Sequence, residues 1–170
     1  MGNVRDAEAF DTFYRAEWGR LAGTLRLVRG DGRGGSTARG GAGADDVAQE
    51  AMTRAWMHWS RVSQLERPAG WLYVTAFRLQ RRRLRREADR PWPDPVPEAT
   101  TDGTADRLAI EDALRTLPLR ARQAVVARHV LGLDGPEAAA LLGVSPDAFR
   151  QILSRALRTL RVSPELVEEP

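Results

Sequence analysis

Arginine is the residue type through which this chain could do chemistry, and that chemistry is the recognition of phosphates and base edges. All 26 basic residues are Arg, and Lys is absent. A guanidinium is planar and donates two parallel hydrogen bonds, which suits phosphate oxygens and the edge of guanine. A GC-rich genome would also favour Arg codons, so composition leaves the reason for this usage open. The positions of the arginines are therefore more informative than their number.

The segment at residues 135–161, GPEAAALLGVSPDAFRQILSRALRTLR, has the spacing of a helix-turn-helix. Pro136 begins a short helix, and Gly143 supplies the turn. Ser145 followed by Pro146 is an N-cap and first-turn pair for the second helix. The residues predicted to pack between the two helices are small or apolar: Ala138, Ala139, Leu142, Val144, Phe149 and Ile152.

The opposite face of the second helix carries hydrogen-bonding groups, and we call it the recognition face. We predict that it contacts base edges in the major groove, with a phosphate at the helix N-terminus. Its residues are Ser145, Asp147, Ala148, Arg150, Gln151, Ser154, Arg155 and Arg158. The alternative is a plain helical hairpin with a charged outer side.

The densest run of charge is RRRLRR at residues 81–86. It could be a solvated helix end, a targeting signal or a nucleic-acid surface. On a helix with 100° per residue, four arginines share one arc with Trp71. Arg83 falls on the core side and must either snorkel or lie beyond the packed part of the helix. We call these four the basic track and predict that they bind nucleic acid: Arg78, Arg81, Arg82 and Arg85. Arg83 and Arg86 are predicted to be ordinary solvated residues.

Three aromatic residues of the same helix could stack on bases or pack in the core. The core direction on this helix is set by Leu72, with Ala76 and Leu79 within 40° of it. Trp71 points away from that direction, which favours stacking on a base. Tyr73 and Phe77 lie at intermediate angles, which favours packing.

Composition excludes several classes of site. Cys is absent, which rules out disulfides, thiolate zinc sites and cysteine nucleophiles. With only two His, His58 and His129, a His-built metal or catalytic site is not expected either. No nucleophile, base and orienting group stand at a recognisable spacing, so we predict that the protein is not an enzyme and holds no cofactor or metal.

Apolar residues recur every three or four positions along most of the chain, which is the helical period, and no segment alternates with a period of two. We therefore predict an all-α fold. Besides the helix-turn-helix, the predicted helices cover residues 10–28, 45–59, 68–87, 105–117 and 119–132, the last ending at Gly132.

The second of these helices, within ADDVAQEAMTRAWMHW, has Asp45 or Asp46 as its N-cap. Its inner stripe is Val47, Ala48, Ala51, Met52, Ala55 and Trp59. Its outer residues are Met57 and the polar residues Asp45, Asp46, Gln49, Glu50, Thr53 and Arg54. They are solvated charges or a partner surface. A hard-metal site at Asp45, Asp46 and Glu50 is a further alternative, although no other segment supplies ligands.

Two segments interrupt the helices and divide the chain. Residues 29–44 hold seven glycines and are predicted to be a flexible loop. Residues 88–104 have four prolines within seven positions and are predicted to be a semi-rigid linker. We therefore predict two small helical domains, 1–87 and 105–162, followed by an acidic tail at 163–170.

Charge follows the same division. Residues 1–87 carry a net +6 and residues 105–162 a net +3, whereas the linker and the tail each carry −3. Two basic blocks indicate a polyanion contacted at two places. No apolar stretch approaches twenty residues, and no signal-peptide pattern is present, so we expect a cytoplasmic protein.

Three segments in this order resemble the extracytoplasmic-function (ECF) sigma factors, the minimal specificity subunits of bacterial RNA polymerase. They are ADDVAQEAMTRAW, ERPAGWLYVTAFRLQRRRLRR and the segment from LRTLPLRARQ to the end of the helix-turn-helix. The resemblance extends over residues 10–161. It implies sigma region 2 in the first domain and sigma region 4 in the second.

The resemblance also implies roles for individual residues. The DDVAQEA helix would dock on the clamp helices of the polymerase β′ subunit through what we call the docking face: Asp46, Gln49, Glu50 and Arg54. Recognition and melting of the minus-ten element would involve a loop at 60–67 and the next helix, with Ser60, Arg61, Ser63, Trp71, Thr75 and the basic track. The recognition face would bind the minus-thirty-five element.

The implied partners are core RNA polymerase, through its β′ clamp helices and β flap, promoter DNA and an anti-sigma factor. Such a partner could hold the protein near the membrane. Two other hypotheses remain: a repressor or activator that uses the helix-turn-helix without joining the polymerase, and an interaction module with a degenerate helix-turn-helix.

Overall fold

A computed structural model of the chain describes residues 4–29, 43–88 and 105–162, and every regular element in these ranges is helical. The helices are α1 (Val4–Arg29), α2 (Ala44–Met57), α3 (Trp59–Val62), α4 (Pro68–Ala88), α5 (Ala105–Arg115), α6 (Leu119–Val125), a π-helical turn (Val126–Val130), α7 (Gly135–Leu142) and α8 (Pro146–Val162). The predicted all-α class is confirmed. None of these described helices combines the length and apolar character needed to cross a membrane.

The described residues form two compact units. The first contains residues 4–25 and 43–88, and the second contains residues 26–29 and 105–162. Apart from a few edge residues, the glycine-rich segment, the proline-rich linker and the acidic tail lie outside the described residues. The domain bounds 1–87 and 105–162 stay a prediction.

Apolar packing of α2 against α4 forms the centre of the first unit. The predicted stripe of α2 is buried, and so are the predicted core residues of α4, Leu72, Ala76 and Leu79. Tyr73 and Phe77 are 7% and 0% exposed, which confirms the prediction that they pack inside.

The predicted N-cap of α2 is wrong, because the helix begins earlier. Gly43 occupies the cap position, and its backbone N–H donates to Asp46 Oδ2 at 3.1 Å. Asp46 is therefore the third residue of the helix. Its carboxylate accepts from one of the N–H groups that a helix start leaves without an intrahelical partner.

A buried polar contact joins α4 to α1, and the sequence pattern did not single it out. Gln80 is fully buried, and its Nε2 donates to the backbone carbonyl of Leu25 at 2.8 Å. A buried amide needs such a partner, because an unmade hydrogen bond costs about 1–3 kcal/mol. Gln80 therefore fixes the neighbouring turns of the two helices.

A second polar contact joins α2 to α4 and corrects the prediction for Arg83. Arg83 is not an ordinary solvated residue: its side chain is 25% exposed and forms an ion pair with Glu50 Oε2. Glu50 Oε1 accepts from Arg54 Nη2 at 2.7 Å. Partial burial raises the pKa of the Glu50 carboxyl, but hydrogen bonds and charge from Arg83 and Arg54 outweigh it and hold the pKa below its ordinary value of 4.5.

The second unit is built around α6, which packs on α8, with α7 also against α8. The fifth predicted helix ends near Gly132, as expected, and this glycine has a left-handed φ of +66°. Its last turn is π-helical, with Leu131 N–H donating to the Val126 carbonyl at 3.0 Å. A π-helical turn contains one more residue than an α-helical turn. It was not predicted, because one extra residue changes the spacing of the apolar residues too little to be recognised in the sequence.

We predict that Glu50→Gln lowers the free energy of unfolding of the first unit at neutral pH by about 1 kcal/mol, since it leaves the half-buried Arg83 without its ion pair. The folded-state pKa of Glu50 is lowered, so its contribution is present above pH 4.5 and is lost as the pH falls through the folded-state pKa. The difference in free energy of unfolding between wild type and Glu50→Gln should therefore become smaller below that pH.

Urea unfolding followed by tryptophan fluorescence measures this difference in free energy of unfolding, because Trp18, Trp56, Trp59 and Trp71 all lie in the first unit. Glu66→Gln is the matched control, since Glu66 is exposed in the same unit. A Glu50→Gln effect that stayed constant from pH 7 to below the folded-state pKa would contradict the assigned ion pairs.

Candidate nucleic-acid interface

The first helix of the helix-turn-helix, α7, is held at both ends by local hydrogen bonds. Asp134 Oδ1 accepts from the Glu137 N–H at 2.8 Å, and Glu137 Oε2 accepts from the Asp134 N–H at 3.1 Å. This reciprocal cap was missed, although the Asp-x-x-Glu spacing is its sequence signature. At the other end, Gly143 has a φ of +66° and the Val144 N–H donates to the Ala139 carbonyl at 3.0 Å. A left-handed residue at this position explains why glycine stands there.

The second helix, α8, begins as predicted. Ser145 Oγ accepts from the Ala148 N–H at 3.2 Å, and Pro146 is the first helical residue. Phe149 and Ala156 are buried, and Ile152, Leu153 and Leu160 are half-buried. The inner side of α8 is therefore the predicted one.

The recognition face lies on the solvent side of α8. All of its residues are exposed except Ala148, which is half-buried. Arg150 forms an ion pair with Asp147, three residues earlier, and both side chains are about three-quarters exposed. An exposed pair of this kind contributes little stability, so Arg150 is available to a stronger acceptor. With Arg155 and Arg158, the face has more positive than negative charge.

The basic track on α4 is present, with one departure. Arg78, Arg82 and Arg85 are exposed, whereas Arg81 is half-buried. Three arginines of one helix face are thus accessible to a polyanion.

The N-terminal part of α4 carries the predicted aromatic. Trp71 is half-buried, and its ring lies 6.3 Å from that of His58 at an interplanar angle of 68°. Thr75 is half-buried one turn further along. Trp71 therefore keeps part of its ring accessible, unlike the two buried aromatics of the same helix.

The segment predicted as a loop at 60–67 is only partly a loop. Ser60 and Arg61 are exposed but lie in the short helix α3, and Ser63 is half-buried just after it. The helical turn forms because Trp59 and Val62, at a spacing of three, are both buried. The irregular part is confined to residues 63–67.

The docking face on α2 is accessible at three of its four positions. Asp46, Gln49 and Arg54 are exposed. Glu50 is half-buried, and both of its carboxylate oxygens are bound by arginines. In the part of the chain that the structure describes, no three His, Asp or Glu side chains are grouped as metal ligands.

Apolar residues extend this surface at the end of α2: Met57 was predicted on the outer side of the helix, whereas Trp56 was not singled out. Trp56 and Met57 are 43% and 71% exposed. The Trp56 ring lies 5.0 Å from that of Phe10 on α1. Met57 lies well outside the buried stripe, whereas Trp56 lies about 40° from buried Met52, so the helical period does not identify Trp56 as exposed.

Two family models match the chain, and they correspond to its two halves. The model described as Sigma-70 region 2 matches residues 24–90. The model described as Sigma-70, region 4 matches residues 107–160. The second match contains the helix-turn-helix, and the first contains α2, α3 and α4.

Two sequence relatives agree with these matches. The chain is 31% identical over 130 residues to the ECF RNA polymerase sigma factor SigL of Mycobacterium tuberculosis, covering 71% of this chain and 73% of SigL. It is also 31% identical over 137 residues to the probable RNA polymerase sigma factor RfaY of Xanthomonas campestris, covering 71% of this chain. The chain spans only 34% of the length of RfaY.

A solved structure shares the fold. The sigma factor RpoE of Bartonella quintana, determined in complex with the anti-sigma factor NepR, superposes with a TM-score of 0.71 at 18% identity, covering 94% of this chain and 99% of RpoE. Together with the matches to regions 2 and 4, the identity to SigL shows that the chain belongs to the ECF sigma factors of bacterial RNA polymerase.

Proposed function

We propose that this sigma factor binds core RNA polymerase and directs initiation at promoters whose minus-ten and minus-thirty-five elements it contacts. The first domain, 1–87, would dock on the polymerase and open the minus-ten element, and the second, 105–162, would bind the minus-thirty-five duplex. The observation that carries the proposal is the capped α7–α8 helix-turn-helix with an arginine-rich outer face, in a chain that also matches sigma region 2.

Binding of duplex DNA would begin with phosphate contacts by arginine. Each neutralised phosphate releases counterions, so affinity falls as salt rises. These contacts position the protein but carry no sequence information, whereas contacts to base edges specify the site. The exposed arginines of the basic track suit the first task, and Arg150 and Gln151 near the start of α8 suit the second.

Opening of the minus-ten element requires compensation for lost base stacking. Extruding one base costs on the order of a few kcal/mol, and stacking on an aromatic ring returns about 1–3 kcal/mol. Trp71 is the aromatic of α4 with an accessible ring, since Tyr73 and Phe77 are buried. Ser60, Arg61 and Ser63 would hold an extruded base, and Thr75 would contact the same strand.

Protein partners would use other surfaces. The docking face on α2 would contact the β′ clamp helices, and the second domain would contact the β flap. An acidic anti-sigma factor would mask the basic surfaces, because opposite charge steers association. Such a partner could hold this protein near the membrane.

A repressor or activator that uses only the helix-turn-helix is the second candidate, and the α7–α8 geometry by itself fits it equally well. The region 2 match favours the sigma factor, because a free-standing repressor has no need of a polymerase-docking helix. Stoichiometric binding to core polymerase distinguishes the two.

We predict that purified core polymerase plus this chain produces run-off transcripts from defined start sites in a library of genomic fragments. Core polymerase alone is the control and should give no promoter-dependent product. Absence of such transcripts with the chain present would overturn the proposed function.

We also predict that two arginine substitutions act differently on promoter binding by the holoenzyme. Arg150→Ala should reduce discrimination at one position of the minus-thirty-five element by about 1–3 kcal/mol, because it removes a base contact. Arg82→Ala should weaken binding to all sequences alike and lower the salt dependence, because it removes a phosphate contact.

Binding to a set of single-base promoter variants at several salt concentrations measures both effects. Arg120→Ala is the control, since Arg120 is exposed on α6 in the second unit, outside the recognition face. If Arg150→Ala and Arg82→Ala changed specificity and salt dependence equally, the assigned division between base and phosphate contacts would be wrong.

A further inference from the structure

The Glu50 carboxylate lies between two arginines that come from different helices. Its Oε1 accepts from Arg54 Nη2 at 2.7 Å, one turn along α2. Its Oε2 is paired with Arg83 on α4. The three side chains become more accessible in the order Arg83, Glu50, Arg54, with 25%, 31% and 45% of their surface exposed. The network therefore runs outward from the packed side of α4 to the docking face.

Arg83 occupies a position where an apolar residue would fit the helical pattern. It falls within 20° of Leu72, the centre of the buried side of α4. Its Nη1 is buried and makes no hydrogen bond within the described residues. A partly desolvated ion pair of this kind adds little net stability compared with well-packed apolar side chains. Packing alone therefore does not account for an arginine here.

The effect of Arg83 on the surface is to orient its neighbours. With one oxygen held from α4, the Glu50 carboxylate has a fixed position, and its other oxygen fixes the guanidinium of Arg54. A side chain that is already ordered loses less conformational entropy when it binds a partner. The docking face therefore presents the ordered guanidinium of Arg54 to a partner, and the Glu50 carboxylate is already bound by two arginines.

We propose that Arg83 is a positioning residue of the docking face: it holds Glu50, which in turn orders Arg54 for contact with an acidic or carbonyl group of core RNA polymerase. The inference rests on the proposed function, since it concerns the surface that docks on the polymerase. It assigns Glu50 an internal role and makes Arg54 the group that contacts the partner.

The test measures the Kd of the full chain for core polymerase at constant salt. Arg83→Met keeps the length and apolar part of the side chain but removes the charge, so we expect Kd to rise about tenfold. Arg83→Lys keeps the charge and should recover part of the loss. Arg86→Met is the matched control, because Arg86 is exposed on the same helix, and it should leave Kd within about twofold of wild type.

A double-mutant cycle shows whether Arg83 acts through Glu50. Glu50→Gln should weaken binding, and adding Arg83→Met to it should cause no further loss, because the path to Arg54 is already broken. Melting temperatures of all variants are measured in parallel. We expect the melting temperature of Arg83→Met to stay close to that of wild type, which separates positioning from folding. If Arg83→Met does not fold, the same Kd measurements are made with Arg83→Lys, and the double-mutant cycle combines Arg83→Lys with Glu50→Gln.

Unchanged or tighter binding by Arg83→Met, or losses that add in the double variant, would overturn the inference while leaving the proposed function intact. Failure of the wild-type chain to bind core polymerase would instead overturn the proposed function.

Discussion

Packing of α2 against α4 determines which residues of both helices can reach a partner. Each helix buries one side in this contact, so its other side is all that remains for binding. On α2 that side is the docking face, and on α4 it is the basic track with Trp71. A change in the buried side chains, such as Met52 or Phe77, would therefore alter the surfaces proposed for polymerase docking and for DNA binding together.

Electrostatic contacts then set the behaviour of the individual arginines. The guanidinium groups differ in what surrounds them and not in their own chemistry. Arg82 is exposed on the helix surface, Arg150 has a weak exposed partner, and Arg83 is held by a carboxylate from another helix. These three environments suit phosphate binding, base contact and internal positioning respectively. One residue type can therefore supply three functions within a chain that has no Lys.

Local sequence patterns predicted the helices, the Gly143 turn and the Ser145 cap, because each depends on residues within one or two turns. The same patterns placed the N-cap of α2 two or three residues too late and missed the Asp134 cap of α7. The long-range polar contacts could not be predicted in this way. Gln80 bonds a carbonyl 55 residues away, and Arg83 pairs with a carboxylate 33 residues away. The position of Arg83 on the core side of α4 was predicted correctly from its angle on the helix. Its pairing with Glu50 could not be predicted, because it depends on how α2 and α4 pack.

A sigma factor makes polymerase open DNA at promoters, which a simple DNA-binding repressor does not do. Permanganate reactivity of thymines in the minus-ten region reports this opening by the present chain, since only unstacked thymines react. We expect reactive thymines when core polymerase and the chain are both present, and none with either alone. Protection of the promoter by the chain, with thymines that stay unreactive after core polymerase is added, would contradict it.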